Sequence, residues 1–322
     1  MTENASFLRS GVRILLLSGL ILCFAAAALA AAQVKQKTFA TPEAAVTALI
    51  EAVKTHNNEE LLAIFGPTGK ELISSENDRE DKEGREEFVK SYERKNAIQA
   101  VTADKAVLHV GQESWAFPVP IIKNGDAWVF DAKAGEHELF ARWIGRNELN
   151  TIDFMKAYVV AQREYACKDL GYACKGIAGN QTVTFAQNMI SEPDLRDGLY
   201  WETEEHETKS LIGPLAASAA RFETVGRKGE LKLAPYHGYY FKILKAQGKH
   251  AEGGEYDYVV NGKMTLGFAL VAFPASYGDT GIMSFIVNQQ GIVYEKDLGK
   301  NTEQIVKAMK QYDPDETWKK VE

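Results

Sequence analysis

Phe268-Ala-Leu-Val-Ala-Phe-Pro274 and Phe285-Ile-Val-Asn-Gln-Gln-Gly291-Ile-Val-Tyr294 are two apolar runs separated by Gly278-Asp-Thr-Gly281. Runs of this length, rich in β-branched and aromatic residues and bounded by glycine turns, predict neighbouring antiparallel strands. Asn288 to Gly291 has the chemistry of a four-residue hairpin loop, with Gly291 supplying the positive φ that closes it. Worked outward, the pattern makes residues 236–298 a nearly continuous meander. A last helix over residues 302–312, ended by Pro314, is expected to close it.

Ahead of the meander, residues 136–166 form the longest segment of helical period. Leu149, Ile152, Met155, Val159 and Ala166 fall on one stripe, which Gln162 interrupts. Residues 147–150 are expected to break it into two helices, and the boundary between two domains, 41–147 and 148–322, is placed there. The N-terminal half opens with Thr41-Pro42-Glu43, a helix start with Thr41 as N-cap and Pro42 at the first helical position. Ala45, Val46, Leu49 and Val53 then recur at helical spacing. A second short helix over 59–65 is stopped by Gly66-Pro67. The charged run at 76–83 reads as a solvated loop, followed by a helix over 86–92. Strands are expected at 106–110, 115–122 and 127–130, with Lys123-Asn-Gly-Asp126 as a hairpin turn. Pro118 and Pro120 push the middle strand toward an edge or bulge. The layout is α+β: helices with a curved antiparallel sheet, then a long helix on an antiparallel meander.

The 322 residues suit two domains, and 45% hydrophobic with 25% charged residues is the composition of a folded protein. Arg9 and Arg13 precede an uncharged run, 14–32, that ends in Ala28-Leu29-Ala30 and turns polar at Gln33. That is the pattern of a secretory signal peptide over residues 1–30 cleaved near Ala30, with 31–40 as linker. The expected place is the bacterial periplasm or exterior, with membrane attachment only if the leader stays uncleaved as an anchor. The net charge is −7, and loss of the leader makes the remainder more acidic. Such a chain is unsuited to nucleic-acid phosphates, which need a basic face. Of three cysteines, Cys23 leaves with the leader. Cys167 and Cys174 remain, and in an oxidising compartment the pair is expected to form a structural disulfide. A redox centre would call for C-x-x-C spacing instead.

Three resemblances extend this reading. Thr41-Pro-Glu-Ala-Ala-Val-Thr-Ala-Leu49 and Asn58-Glu-Glu-Leu-Leu-Ala-Ile-Phe65 resemble the start of nuclear-transport-factor-2-like (cystatin-like) domains. That likeness implies a conical pocket, whose polar lining would be His109, Trp115 and Trp128; read on their own, these residues pack the sheet or face water. Ala161-Gln-Arg-Glu-Tyr165, Gly238-Tyr-Tyr-Phe241 and the meander resemble the globular domain of type IV pilin-like and pseudopilin proteins. Here a whole domain precedes the helix, so assembly through the usual helix core is not implied. Finally, Pro42-Glu-Ala-Ala-Val46, Ile144-Gly-Arg-Asn-Glu148, Arg196-Asp-Gly-Leu-Tyr-Trp201, Pro235-Tyr-His-Gly-Tyr-Tyr-Phe241 and Tyr256-Asp-Tyr-Val-Val-Asn-Gly262 resemble a bacterial exported family, domain of unknown function 2950. The resemblance implies an envelope or secreted protein and supplies no catalytic residues.

No G-x-S-x-G, H-E-x-x-H, Walker A, dinucleotide or EF-hand pattern occurs. Glu202, Glu204, Glu205, His206 and Glu207 are the one dense group of oxygen and nitrogen ligands, and they read as a solvated acidic loop. No catalytic, cofactor or metal residue is assigned. Tyr236, His237, Tyr239 and Tyr240, an aromatic segment made flexible by Gly238, form the candidate recognition surface. The expected function is an exported, non-catalytic interaction or assembly factor of the cell envelope. The alternative is an envelope enzyme or small-ligand-binding protein with its pocket in the N-terminal domain.

Overall fold

The structure, a computed structural model, describes residues 35–74, 77–168, 183–192, 197–202, 209–220 and 234–321. The leader, Cys174 and most of the acidic group at 202–207 therefore lie outside the described residues. The chain is mixed α and β and divides into two compact units, the first ending at Phe140 and the second covering Ala141–Glu322.

In the first unit, α1 (Pro42–Lys54) starts where expected. The Thr41 side chain accepts from the Ala44 N–H, and Ala45, Val46, Leu49 and Val53 are buried. Helix α2 (Asn58–Phe65) is capped by Asn57 and stopped at Gly66, whose φ of 78° suits glycine. After a short α3 (Lys70–Ile73), the charged run departs from expectation. From Asp78 on it is not a loop but the first turns of α4 (Asp78–Arg94). Asn77 caps this helix through the Glu80 N–H, and Asp78, Glu80 and Asp81 occupy its first turn, where negative charge meets the positive end of the helix dipole.

Five antiparallel strands follow: β1 (Asn96–Thr102), β2 (Lys105–Val110), β3 (Trp115–Ala116), β4 (Ile121–Asn124) and β5 (Ala127–Phe130), in the order β1-β2-β4-β5 with β3 also on β2. The segment around Pro118 and Pro120 breaks one expected strand into β3 and β4, because proline cannot donate to the ladder. The sheet and first two helices enclose a core of Leu49, Ile64, Phe65, Leu108, Ile121 and Phe130.

Helix α5 runs unbroken over Ala132–Lys168. The expected break at 147–150 does not occur, because these polar residues are used sideways. Asn147 Nδ2 donates to the Thr280 carbonyl at 3.0 Å, and the Thr151 hydroxyl bonds back to the Asn147 carbonyl. Ile152, Met155, Val159 and Ala166 are buried as the stripe requires, whereas Leu149 is 64% exposed and falls off it. Gln162 is a fully buried peg rather than an interruption: it donates to Tyr158 Oη and the Ala186 carbonyl and accepts from the Ala186 N–H.

The rest of the second unit comprises parallel β6 (Asn188–Ile190) and β7 (Gly198–Tyr200), α6 (Pro214–Ser218), β8 (Tyr239–Leu244), β9 (Ala246–Gln247), β10 (Tyr256–Asp257), β11 (Val259–Val260), β12 (Lys263–Met264), β13 (Ala269–Pro274), β14 (Met283–Asn288), β15 (Tyr294–Asp297), α7 (Thr302–Ala308), β16 (Gln311–Tyr312) and β17 (Lys319–Lys320). Its main sheet has the order β17-β15-β14-β13-β8, all antiparallel. The first apolar run supplies β13 and the start of the second supplies most of β14, both fully buried except at Met283, and Gly291 closes the following turn at φ 81°. The meander is less continuous than expected, since β9 to β12 form small pieces of their own between β8 and β13. The closing helix is shorter too. Lys242 Nζ meets the carbonyls of Val306, Lys307 and Met309 and ends α7 at Ala308, after which Gln311 and Tyr312 pair as a strand.

Candidate functional site

Two places stand out, one built on residues singled out in the sequence and one that the sequence did not single out. In the second unit, Tyr236 and Tyr239 exchange backbone hydrogen bonds of 2.9 and 3.0 Å across a two-residue turn. Its central residues, His237 and Gly238, both have positive φ, 49° and 75°, as a type I′ turn demands. The four residues of the expected recognition surface part company here. Tyr239 is fully buried, because strand alternation turns it inward; its hydroxyl donates to the Met283 carbonyl at 2.9 Å. Tyr240 is half-buried beside Phe273. Tyr236 packs edge-on against Phe154. His237 alone is exposed, its ring tilted on Tyr236 with Nδ1 3.3 Å from Asn150 Nδ2.

Beneath this turn, Glu148 Oε1 accepts from the N–H groups of Ile282 and Met283 at 2.9 and 3.0 Å. The segments 144–148, 235–241 and 278–283 are thus brought together, with Asn147, Glu148 and Tyr239 each engaged with backbone. Burial, with the Glu148 carboxylate nearby, holds the Tyr239 phenol well above its usual ionisation range. The chemistry here is that of a clamp, with one imidazole left on its surface.

The second place lies in the first unit. A cleft of about 330 Å³ runs along α4, with Leu49, Val53, Leu61 and Phe65 on its floor and Phe88 and Phe117 at one side. Its origin is in the sequence of α4. The apolar residues of that helix, Phe88, Val89 and Tyr92, all lie in its C-terminal half, and no residue of it is fully buried. The N-terminal half covers the aliphatic floor with Gly84 and Arg85 instead, and a Cβ built at Gly84 would meet nothing within 4 Å. The cleft is therefore left open by a missing side chain. Arg85 Nη2 donates to the Ile73 carbonyl at 2.6 Å, and Asp81, also on the cleft, accepts from the Ser74 hydroxyl at 2.7 Å.

The polar residues that the resemblance to cystatin-like folds suggested for a pocket stand elsewhere. His109 Nδ1 lies 2.9 Å from the Ser114 carbonyl, Trp115 is exposed on β3, and Trp128 is half-buried on β5. None of them lines the cleft. Sequence reasoning missed the cleft because Gly84 falls between the expected loop at 76–83 and the expected helix over 86–92, so its place inside one continuous helix was not legible. Cys167 stands half-buried near the end of α5, while its expected partner Cys174 lies outside the described residues. Among the described residues, no group of His, Cys, Asp and Glu could hold a metal ion, and no helix is long and apolar enough to cross a membrane.

No curated protein and no solved structure matches the chain, so the likeness to pilin-like domains stays one of sequence pattern. One family model does match, over residues 36–321, and it spans both units. Its description is a protein of unknown function (DUF2950), and this chain belongs to that family.

Proposed function

We propose that the protein is exported and works by binding rather than catalysis, as a factor of the cell envelope that takes a small apolar ligand in the cleft under α4. The observation that carries this is the cleft's size and lining. A volume of about 330 Å³ on an aliphatic and aromatic floor is within the range of small-molecule sites. The polar residues gathered at 147–148 and 239 are occupied in holding backbone, which supports a scaffolding role for that cluster. A thermal-shift screen of apolar compounds against the full chain tests the reading. A ligand at 100 times its Kd adds about 2.7 kcal/mol to stability. Gly84→Phe, which puts a ring into the open space, is expected to remove the shift. Compounds that stabilise both proteins equally, or none that stabilise the native chain, would sink the reading.

Export is supported by the leader pattern, and a disulfide between Cys167 and Cys174 belongs to the same reading. Mass spectrometry of the alkylated secreted protein should show a mature N-terminus near residue 31 and no labelled thiol at either cysteine. Labelling at both refutes the bridge, and an intact N-terminus refutes cleavage.

A second reading has its own observation. His237 is exposed on a turn held by Asn150 and Tyr236, a rigid tip suited to a protein partner in the envelope. Capture from envelope extracts that is unchanged by His237→Ala excludes it.

A further inference from the structure

A cationic side chain stands on the wall of the apolar cleft. Arg85 is half-buried, and its one hydrogen bond is to the Ile73 carbonyl; among the described residues it has no carboxylate within ion-pairing distance. A guanidinium offers five donors in a planar fork matched to carboxylate and phosphate. Leaving such a charge half-desolvated without an anion is unfavourable, and an incoming anion relieves that cost.

The surroundings give the site a direction. Arg85 and Val53 also line a second cleft of about 230 Å³, shared with Lys54, His56, Lys90, Val89 and Glu86. Its other cations have anions close by: Lys54 Nζ lies 2.7 Å from Glu93, and Lys90 lies 3.9 Å from Glu87. One turn back along α4, Glu80 and Asp81 stand on the apolar cleft. Both carboxylates already accept hydrogen bonds, from Asn77 Nδ2 and the Ser74 hydroxyl, each at 2.7 Å. An anion is thus repelled at the Glu80 end and attracted at the Arg85 end.

From this we infer that the ligand of the cleft is a single-chain amphiphile with an anionic head, its aliphatic tail over Leu49, Leu61 and Phe65 and its head on Arg85. The inference rests on the reading of the cleft as a ligand site, and the test separates the two. Decanoate, decyl phosphate, decanol and decyltrimethylammonium are titrated calorimetrically into the full chain, each below its micelle-forming concentration. Decanoate or decyl phosphate should bind at least about tenfold more tightly than decanol, the effect of one charge-assisted contact. The better of the two anions identifies the head, and the cationic surfactant should bind weakest. Arg85→Met should weaken the anions about tenfold and leave decanol unchanged, with circular dichroism confirming that the variant folds. Decanol binding as tightly as the anions, or anion affinity indifferent to Arg85→Met, overturns the anionic head while leaving the apolar site standing. Binding of none of the four overturns both.

Discussion

Glu148 shows how a single side chain links two segments far apart in sequence. Its Oε1 accepts the N–H groups of Ile282 and Met283 just as the chain enters β14, while Asn147 holds the Thr280 carbonyl and Tyr239 the Met283 carbonyl. The turn they grip has no room to adjust, since a Cβ at Gly281 would fall 2.1 Å from Tyr239 Oη. Bonds to an ionised acceptor are worth roughly 1.5–3 kcal/mol each where buried. Glu148 is half-exposed, so Glu148→Ala is expected to cost about 2 kcal/mol in total, and Glu148→Gln roughly half of that. Urea unfolding checks this, and two variants as stable as the native chain would show that the clamp is idle. In the sequence Asn147 and Glu148 stand in the stretch 144–148 and Tyr239 in 235–241, two separate runs that carry the family resemblance, and spacing along a chain cannot say which carbonyl a side chain will find across the fold.

At the scale of elements, α4 is the helix whose composition and role differ most. Its charge made it resemble a loop, yet Asn77 and the acids of its first turn are what nucleate it. Gly84 sits in its interior with nothing for a Cβ to meet. Gly84→Ala should therefore raise stability by about 1 kcal/mol, the cost of glycine in a helix, without closing the cleft. A rise in the thermal midpoint with ligand affinity retained is the expected result, and a fall would mean that the glycine is needed for packing. The opposite case is Gly198, where a Cβ would meet the Ile190 carbonyl carbon at 2.5 Å where β6 and β7 pair. One glycine leaves space and the other lets two backbones touch, a difference visible only once the partners are in place. Helices α1 and α2 were legible to within a residue because caps and stops are local chemistry. The end of α7 was not, because Lys242 terminates it from a distant strand.

Over the whole molecule, the second unit carries an unusual load of buried phenols. Tyr239, Tyr258 and Tyr312 are all at or near zero exposure, and burial is the first cause that raises each above the ordinary tyrosine value of about 10. In the unfolded chain these groups ionise near that value while the folded ones stay neutral. The unfolded state then binds fewer protons, so the stability present below about pH 10 is lost as pH rises beyond it. Denaturant midpoints should hold to about pH 10 and then fall, and the ultraviolet signal of tyrosinate from these three should appear together with unfolding. Ionisation of all thirteen tyrosines while the fold persists would contradict their burial.

The sequence alone determined the α+β class, the neighbouring strands in the apolar runs 268–274 and 285–294, the first helix with its cap, and the family, since each is written in local periodicity, turn residues or short motifs. The tertiary structure alone decided that Tyr239 lies inside while His237 stays outside, that residues 147–150 grip a turn instead of breaking a helix, and that Gly84 and Arg85 border an open apolar cleft. Burial, cavities and cross-chain hydrogen bonds depend on what arrives from elsewhere in the chain, and no local pattern records that.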